Sequence, residues 1–138
     1  MSVQTRLILL HQQATSGRLR FLCLEPGVLV FGPLPADARL RDEAYSPQIL
    51  IHPAAVLREA EVLLALPEGA IVAQAGFTAW VETADGDVPL LLAAFASIDP
   101  PFAAAQRRQG RFIAITESRH LSEIERVLLR RAYEHVLG

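Results

Sequence analysis

Glu117 and His120 stand three residues apart, a spacing that on a helix sets a carboxylate and an imidazole on one side. Such a pair serves acid–base chemistry or supplies two metal ligands, but a metal site needs three or four converging donors. His11, His52 and His135 fall in separate segments without a second ligand at a useful spacing, so neither metal nor cofactor is expected. The pair then reads as polar residues at a helix entry. Cys23 is the only cysteine, which excludes an intramolecular disulfide. Its setting, Phe21-Leu22-Cys23-Leu24, is that of a small thiol buried in an apolar strand without a neighbouring base, so a nucleophilic role is not expected. Ser16, Ser46, Ser97, Ser118 and Ser122 lack the Gly-x-Ser-x-Gly elbow, and Ser122 suits a helix cap better. No catalytic residue is assigned. If the chain were an enzyme, Glu117 with His120 would carry the chemistry.

Arg107, Arg108, Arg111 and Arg119 surround Gly110 and form the candidate anion-binding group, because guanidinium forks hold phosphate and carboxylate well. Nucleic acid is a poor match for them. The pI is near 6.1, and among these arginines the only interleaved aromatic is Phe112, whereas strand-binding surfaces join a basic footprint to aromatic platforms. No Gly-x-Gly-x-x-Gly or Walker-type loop is present, which argues against the common nucleotide-binding folds. The net charge of −2 divides unevenly, with basic ends and an acidic middle, an asymmetry that draws the terminal elements toward the centre of the same fold. All 13 basic residues are arginine.

The elements that must position these residues follow from the hydrophobic pattern. Val3 to Leu10 and Arg18 to Leu24 read as strands of a meander. Glu25-Pro26-Gly27-Val28 has proline and glycine where a type II turn wants them, so Val28 to Phe31 is expected to return as a third strand. Gly32 to Pro47 has no apolar stripe and reads as a long loop, a candidate lid or partner contact. Gln48 to Ile51 reads as a short strand. Pro53 then opens a helix through Leu66, with Val56, Leu57, Ala60, Leu63 and Leu64 inward and Arg58 and Glu61 outward.

Two apolar runs, Ala70 to Val81 and Val88 to Ile98, flank Asp85-Gly86 and predict a hairpin buried on both faces. A two-residue type I′ turn at that pair places Gly76 opposite Phe95 and Trp80 opposite Leu91. Phe102 to Gln109 reads as a short helix with Asp99 near its start and Gly110 past its end, and Arg111 to Thr116 as a last strand. Ser122-Glu-Ile-Glu125 fits a capping box that opens the final helix, whose Ile124, Leu128, Leu129, Ala132, Tyr133 and Val136 form a broad apolar face.

The expected architecture is α+β: one domain over residues 1–138, a mostly antiparallel sheet of about six strands with two or three helices, and a long amphipathic helix at the C-terminus. Helices or a second copy of the chain must cover both faces of the hairpin. The leading functional expectation is a non-catalytic protein-interaction module that self-associates as a homodimer, with Trp80, Leu91 and Phe95 at the interface. The runner-up is a small-molecule domain in which the 32–47 loop closes over a pocket and terminal arginines meet an anionic ligand. Four consecutive apolar residues near the start are too few for a signal-peptide core or a membrane span, so a cytoplasmic chain without membrane contact is expected.

Overall fold

A computed structural model describes residues 5–49 and 51–138. The chain runs β1 (Arg6–Gln12), β2 (Leu19–Cys23), β3 (Arg39–Leu40), α1 (Pro53–Leu63), β4 (Ile71–Ala73), β5 (Ala79–Thr83), β6 (Gly86–Phe95), α2 (Phe102–Arg107), β7 (Arg111–Ile113), a 3-10 turn over Ile115–Glu117, and α3 (Glu123–Leu137). Seven strands make one mixed sheet in the order β3-β5-β6-β1-β2-β7, with β4 also paired to β6. Among the described residues only β1 and β6 run parallel; the other pairings are antiparallel. The α+β expectation holds, with a C-terminal helix of 15 residues.

Strand β6 sits between neighbours on both edges and is apolar on both faces. Val88, Leu90 and Leu92 join Ile8, Leu10, Phe21 and Ile113 under Leu128, Leu129 and Ala132 of α3. Leu91, Ala93 and Phe95 join Leu7, Leu9 and Leu22 under Leu57, Ala60 and Leu64, with Ala104 and Ala105 of α2 beside them. A strand without a wet face needs a cover on each side, and helices of this one copy supply both. The two-sided hairpin therefore requires no second chain. Tyr133, placed on the inner face of the last helix by periodicity, is 37% exposed, so the buried stripe of α3 is narrower than expected.

The predicted hairpin register is corrected. Thr83 pairs with Gly86, so Ala84 and Asp85 form the turn, and Trp80 faces Pro89 rather than Leu91. The Thr83 hydroxyl donates to the Gly86 carbonyl at 2.7 Å, and Ala84 N–H donates to the Asp37 carboxylate at 2.9 Å, fixing this shorter closure. The second departure lies upstream: β4 pairs Ile71 with Phe95 and Ala73 with Ala93, whereas β5 resumes with Ala79 opposite Leu90. Gln74 to Thr78 thus stand opposite Leu91 and Leu92 alone, a wide bulge, and Gly76 has no place opposite Phe95. Its φ of +84° suits glycine.

Other elements also shift. Val28 to Phe31 contribute one isolated bridge, Val30 to Leu7, instead of a third strand, and Gly27 does not take the positive φ of a type II turn. The 32–47 loop contains β3, which pairs with β5. Gln48, Ile49 and Ile51 are not in a strand, and Leu50, like Val3 of the first strand, lies outside the described residues. Strand β7 ends at Ile113, before the 3-10 turn. Ser122 caps α3 by accepting from Glu125 N–H at 3.2 Å, but Glu125 does not complete the box: its Oε1 accepts from Val28 N–H at 2.8 Å.

Glu61, expected outside, is 3% exposed. Its Oε2 accepts from Gly69 N–H at 2.9 Å and Ile71 N–H at 3.1 Å, while Oε1 pairs with Arg58 at 3.3 Å. The carboxylate thereby ties α1 to the first residue of β4. Burial alone pushes its pKa up, but the hydrogen bonds from Ile71, Arg58 and Gly69 outweigh burial and leave it below the usual carboxylate value. Both preceding helices end in the same geometry. After α1, Leu66 N–H donates to Glu61 O at 2.8 Å and Ala65 N–H to Val62 O at 3.1 Å, a Schellman motif with Ala65 at φ 56°. After α2, Gly110 N–H donates to Ala105 O at 2.8 Å, and Gln109, not Gly110, takes the left-handed position. Gly110 is needed for a different reason, since a Cβ there would meet Leu24 and the Cys23 carbonyl. Nor does Asp99 cap α2, whose N-cap is Pro101 without a side-chain bond.

Two outcomes follow for stability. Glu61→Ala leaves the buried Ile71 N–H without its acceptor and lowers the unfolding free energy by about 2 kcal/mol, whereas Glu61→Gln, keeping an oxygen for both amides, loses much less; urea melts at pH 7 distinguish the two. Because the folded-state pKa is lowered, the contribution of Glu61 is full above the usual carboxylate range and fades as pH falls through the folded value, so the difference between wild type and Glu61→Ala shrinks in acid. Ala65→Gly relieves a left-handed alanine and raises stability by about 1 kcal/mol, read as a higher urea midpoint with unchanged slope.

Candidate functional site

The bulge leaves an apolar cleft of about 360 Å³ at the edge of the sheet. Its floor is Leu91, Leu92 and Trp80, one wall is the bulge from Ala73 to Thr78, and the other is formed by Ser46, Pro47, Ile49, Ile51 and Pro53. Among the described residues no charged side chain lines it, and its volume is that of a small-molecule site. Trp80 is 5% exposed and is the only tryptophan. Because β6 pairs β4 on one side of the bulge and β5 on the other, the opening lies where the ladder changes register.

The loop that borders the cleft is fastened by a polar latch. Tyr45 donates its hydroxyl to Asp87 Oδ2, and Arg41 donates to Asp87 Oδ1 at 3.1 Å while lying 4.5 Å from the Tyr45 ring centre. Arg41 also pairs with Glu82 at 3.4 Å. The Tyr45 ring meets Trp80 edge-on at 6.4 Å, so the latch touches the cleft floor. The Tyr45 hydrogen bond, helped by Arg41, holds the Asp87 carboxyl below its ordinary value, and the same bond pushes the Tyr45 phenol up. The sequence marks this loop as a candidate lid or partner contact but does not single out Arg41, Tyr45 and Asp87. The only available signal was the close succession of Arg41, Asp42, Glu43 and Tyr45, whose partner is 42 residues further on.

The arginines of the proposed anion site are not gathered. Arg108 Nε donates to Leu63 O at 2.9 Å and Arg107 Nη2 to Leu64 O at 3.1 Å, so both close the C-terminal end of α1, which has no basic residue in its own last turn. Arg111 lies opposite Cys23 in the β2–β7 ladder and so projects to the α3 side of the sheet, away from Arg107 and Arg108. Arg119 is exposed in the turn before α3.

Glu117 and His120 are not on one helix, because the 3-10 turn ends at Glu117, and Glu117 Oε1 accepts from Ala114 N–H at 2.8 Å. His120 instead faces Cys23, Nε2 to Sγ 3.6 Å, a neighbour across 97 residues that no local pattern reveals. Burial pushes the Cys23 thiol up, with Glu125 and Glu25 adding to the rise and Arg111 opposing it. Trp80, Leu91 and Phe95 are buried within one copy, the first two as the cleft floor and Phe95 against Phe112, ring centres 5.7 Å apart. Among the described residues no group of three or more His, Cys, Asp or Glu is placed to hold a metal ion, and no helix is long and apolar enough to cross a membrane.

The fold and cleft define an α+β chain with an uncharged edge-of-sheet cavity under a latched loop. Neither a protein-family model nor a curated protein sequence matches it. The latch itself is testable: in Tyr45→Phe the Asp87 carboxyl titrates at higher pH than in wild type, because its main stabilising bond is gone, and carbon-detected NMR of Asp87 measures the difference. The same variant is cut faster between residues 41 and 49 by a nonspecific protease at neutral pH.

Proposed function

We propose that this chain is a small-molecule-binding domain whose ligand places an uncharged, aromatic or otherwise apolar body in the cleft over Trp80. The observation that supports it is the cleft itself: a 360 Å³ cavity with an apolar floor and no charged lining, bounded on one side by a loop held shut through Tyr45, Arg41 and Asp87. A cavity of this size lined by side chains with few polar groups favours burial of a planar apolar group, with backbone amides and carbonyls of the bulge left to orient it. The loop releases when the latch opens, giving entry without disturbing β6. The self-associating module is not carried into this reading, because both faces of β6 and the inner face of α3 have cover within one copy.

Binding is read directly from Trp80. Neutral single-ring aromatic fragments at millimolar concentration are expected to raise the melting temperature and shift or quench the emission of this sole tryptophan. Ala73→Leu fills the cleft from its wall and abolishes both effects while the far-ultraviolet spectrum stays native. A fragment set that leaves melting temperature and emission unchanged overturns the reading.

A further inference from the structure

The bulge that walls the apolar cleft also walls a second cavity, of about 330 Å³, on the side of α3. Gly76, Phe77 and Thr78 line both. Between the cavities the crest at Gly76 bears no side chain, and the nearest atom to a Cβ built there would be His135 Cε1 at 3.5 Å. The loop that covers the cleft with Ser46 and Pro47 reaches the second cavity with Glu43. One loop and one bulge therefore frame an apolar and a charged compartment that adjoin.

The charged compartment is lined by Arg131 and His135 together with two carboxylates, Glu43 from the loop and Glu134 from α3. The Arg131 side chain is 16% exposed, Nη2 donates to Arg41 O at 3.1 Å, and Nε is buried without a hydrogen-bond partner among the described residues. A guanidinium N–H left without an acceptor in a buried place is costly, and carboxylate is the acceptor for which its geometry is best suited. Glu43 Oε1 stands 3.6 Å from that Nε, close enough for attraction and too far for a hydrogen bond, and the Glu43 side chain is 72% exposed. The loop thus offers a loosely held carboxylate at the position where a better one fits.

We propose, resting on the cleft reading above, that the natural ligand is an amphiphilic anion whose apolar body lies over Trp80 and whose carboxylate crosses Gly76 to accept from Arg131 Nε, displacing Glu43. Its chemical class is a small aromatic or branched aliphatic carboxylic acid. Arg131 is the selectivity residue for charge, the Trp80 cleft accounts for the apolar contribution, and Glu43 acts as a competing internal anion. His135, held by its contact with Ala75 O at 3.1 Å and its edge-on packing against Phe77 at 5.6 Å, lies against the crest, and its ring has to turn aside for the carboxylate to pass.

The test compares phenylacetate with phenylacetamide, equal in shape and different in charge, on the full chain by Trp80 emission and thermal shift. Phenylacetate is expected to bind about tenfold more tightly, the ratio for gaining one charge-assisted hydrogen bond. Glu43→Gln removes the competitor and tightens phenylacetate several-fold without changing the amide, and Arg131→Gln brings the two ligands to the same affinity. Equal binding of acid and amide by wild type overturns the anion inference and leaves the apolar cleft standing, whereas no binding of either overturns both. Should Arg131→Gln fail to fold, Glu43→Gln decides alone: an unchanged phenylacetate affinity in that variant defeats the proposal.

Discussion

Strand β6 has apolar side chains on both faces, and the rest of the molecule is arranged to keep water from each. Burying one face of a strand against helices is ordinary; burying both obliges the chain to place helices on opposite sides of the same sheet. Here α3 takes the Leu90 side, and α1 with α2 take the Leu91 side. The parallel pairing of β1 with β6 follows the same demand, because β1 is itself fully buried from Leu7 to Leu10 and needs a neighbour that shares both covers. Of the two buried polar side chains among the described residues, Glu61 holds a covering helix in place, whereas His11 of β1 meets the Ser97 carbonyl at 2.8 Å beyond the end of β6.

The cleft is a by-product of how that central strand is flanked. Strands β4 and β5 share one edge of β6 but are out of phase, and the surplus residues between them cannot enter the ladder. They bow outward, leaving Leu91 and Leu92, paired with Leu7 and Ile8 of β1 on their other edge, with only the bond from Gln74 N–H to Leu92 O at 2.9 Å on this one. A sheet that had run on without interruption would have paired Leu91 and Leu92 with a strand on both edges. Interrupted, it exposes a patch of core to a loop, and a loop can open whereas a strand in a ladder does not.

Periodicity was sufficient for the large decisions and insufficient for the fine ones. The two-faced run at Val88 to Ile98, the proline-opened helix at Pro53 and the Ser122 cap are all local signals; all three begin where the pattern puts them, but β6 ends at Phe95 with Ile98 exposed, and α1 ends at Leu63 rather than Leu66. The register of the hairpin was not legible, because Asp85-Gly86 is the commonest tight-turn dipeptide in a segment where Thr83 and Asp37 hold a different closure. Glu61 was misplaced because a charged residue one turn from Leu57 and Leu64 looks like a boundary of the apolar stripe until the amides of Gly69 and Ile71 turn toward it. The four clustered arginines are adjacent along the chain and divided by the sheet, a strand with alternating sides being a poor guide to proximity. The latch and the Cys23–His120 neighbours join residues 42 and 97 positions apart, which no reading of spacing recovers.

Glu125 illustrates how two distant positions become one variable. Its Oε1 holds the Val28 amide, and the carboxylate fills the volume that a Cβ on Gly27 would occupy. Any side chain at position 27 evicts the carboxylate, and the eviction also frees the Val28 amide and unseats the first turn of α3 from the β2 end of the sheet. Conversely, shortening residue 125 opens room at 27 but strands that amide. The two positions are therefore coupled through one acceptor, and a side chain at 27 is best matched by a shorter acceptor at 125.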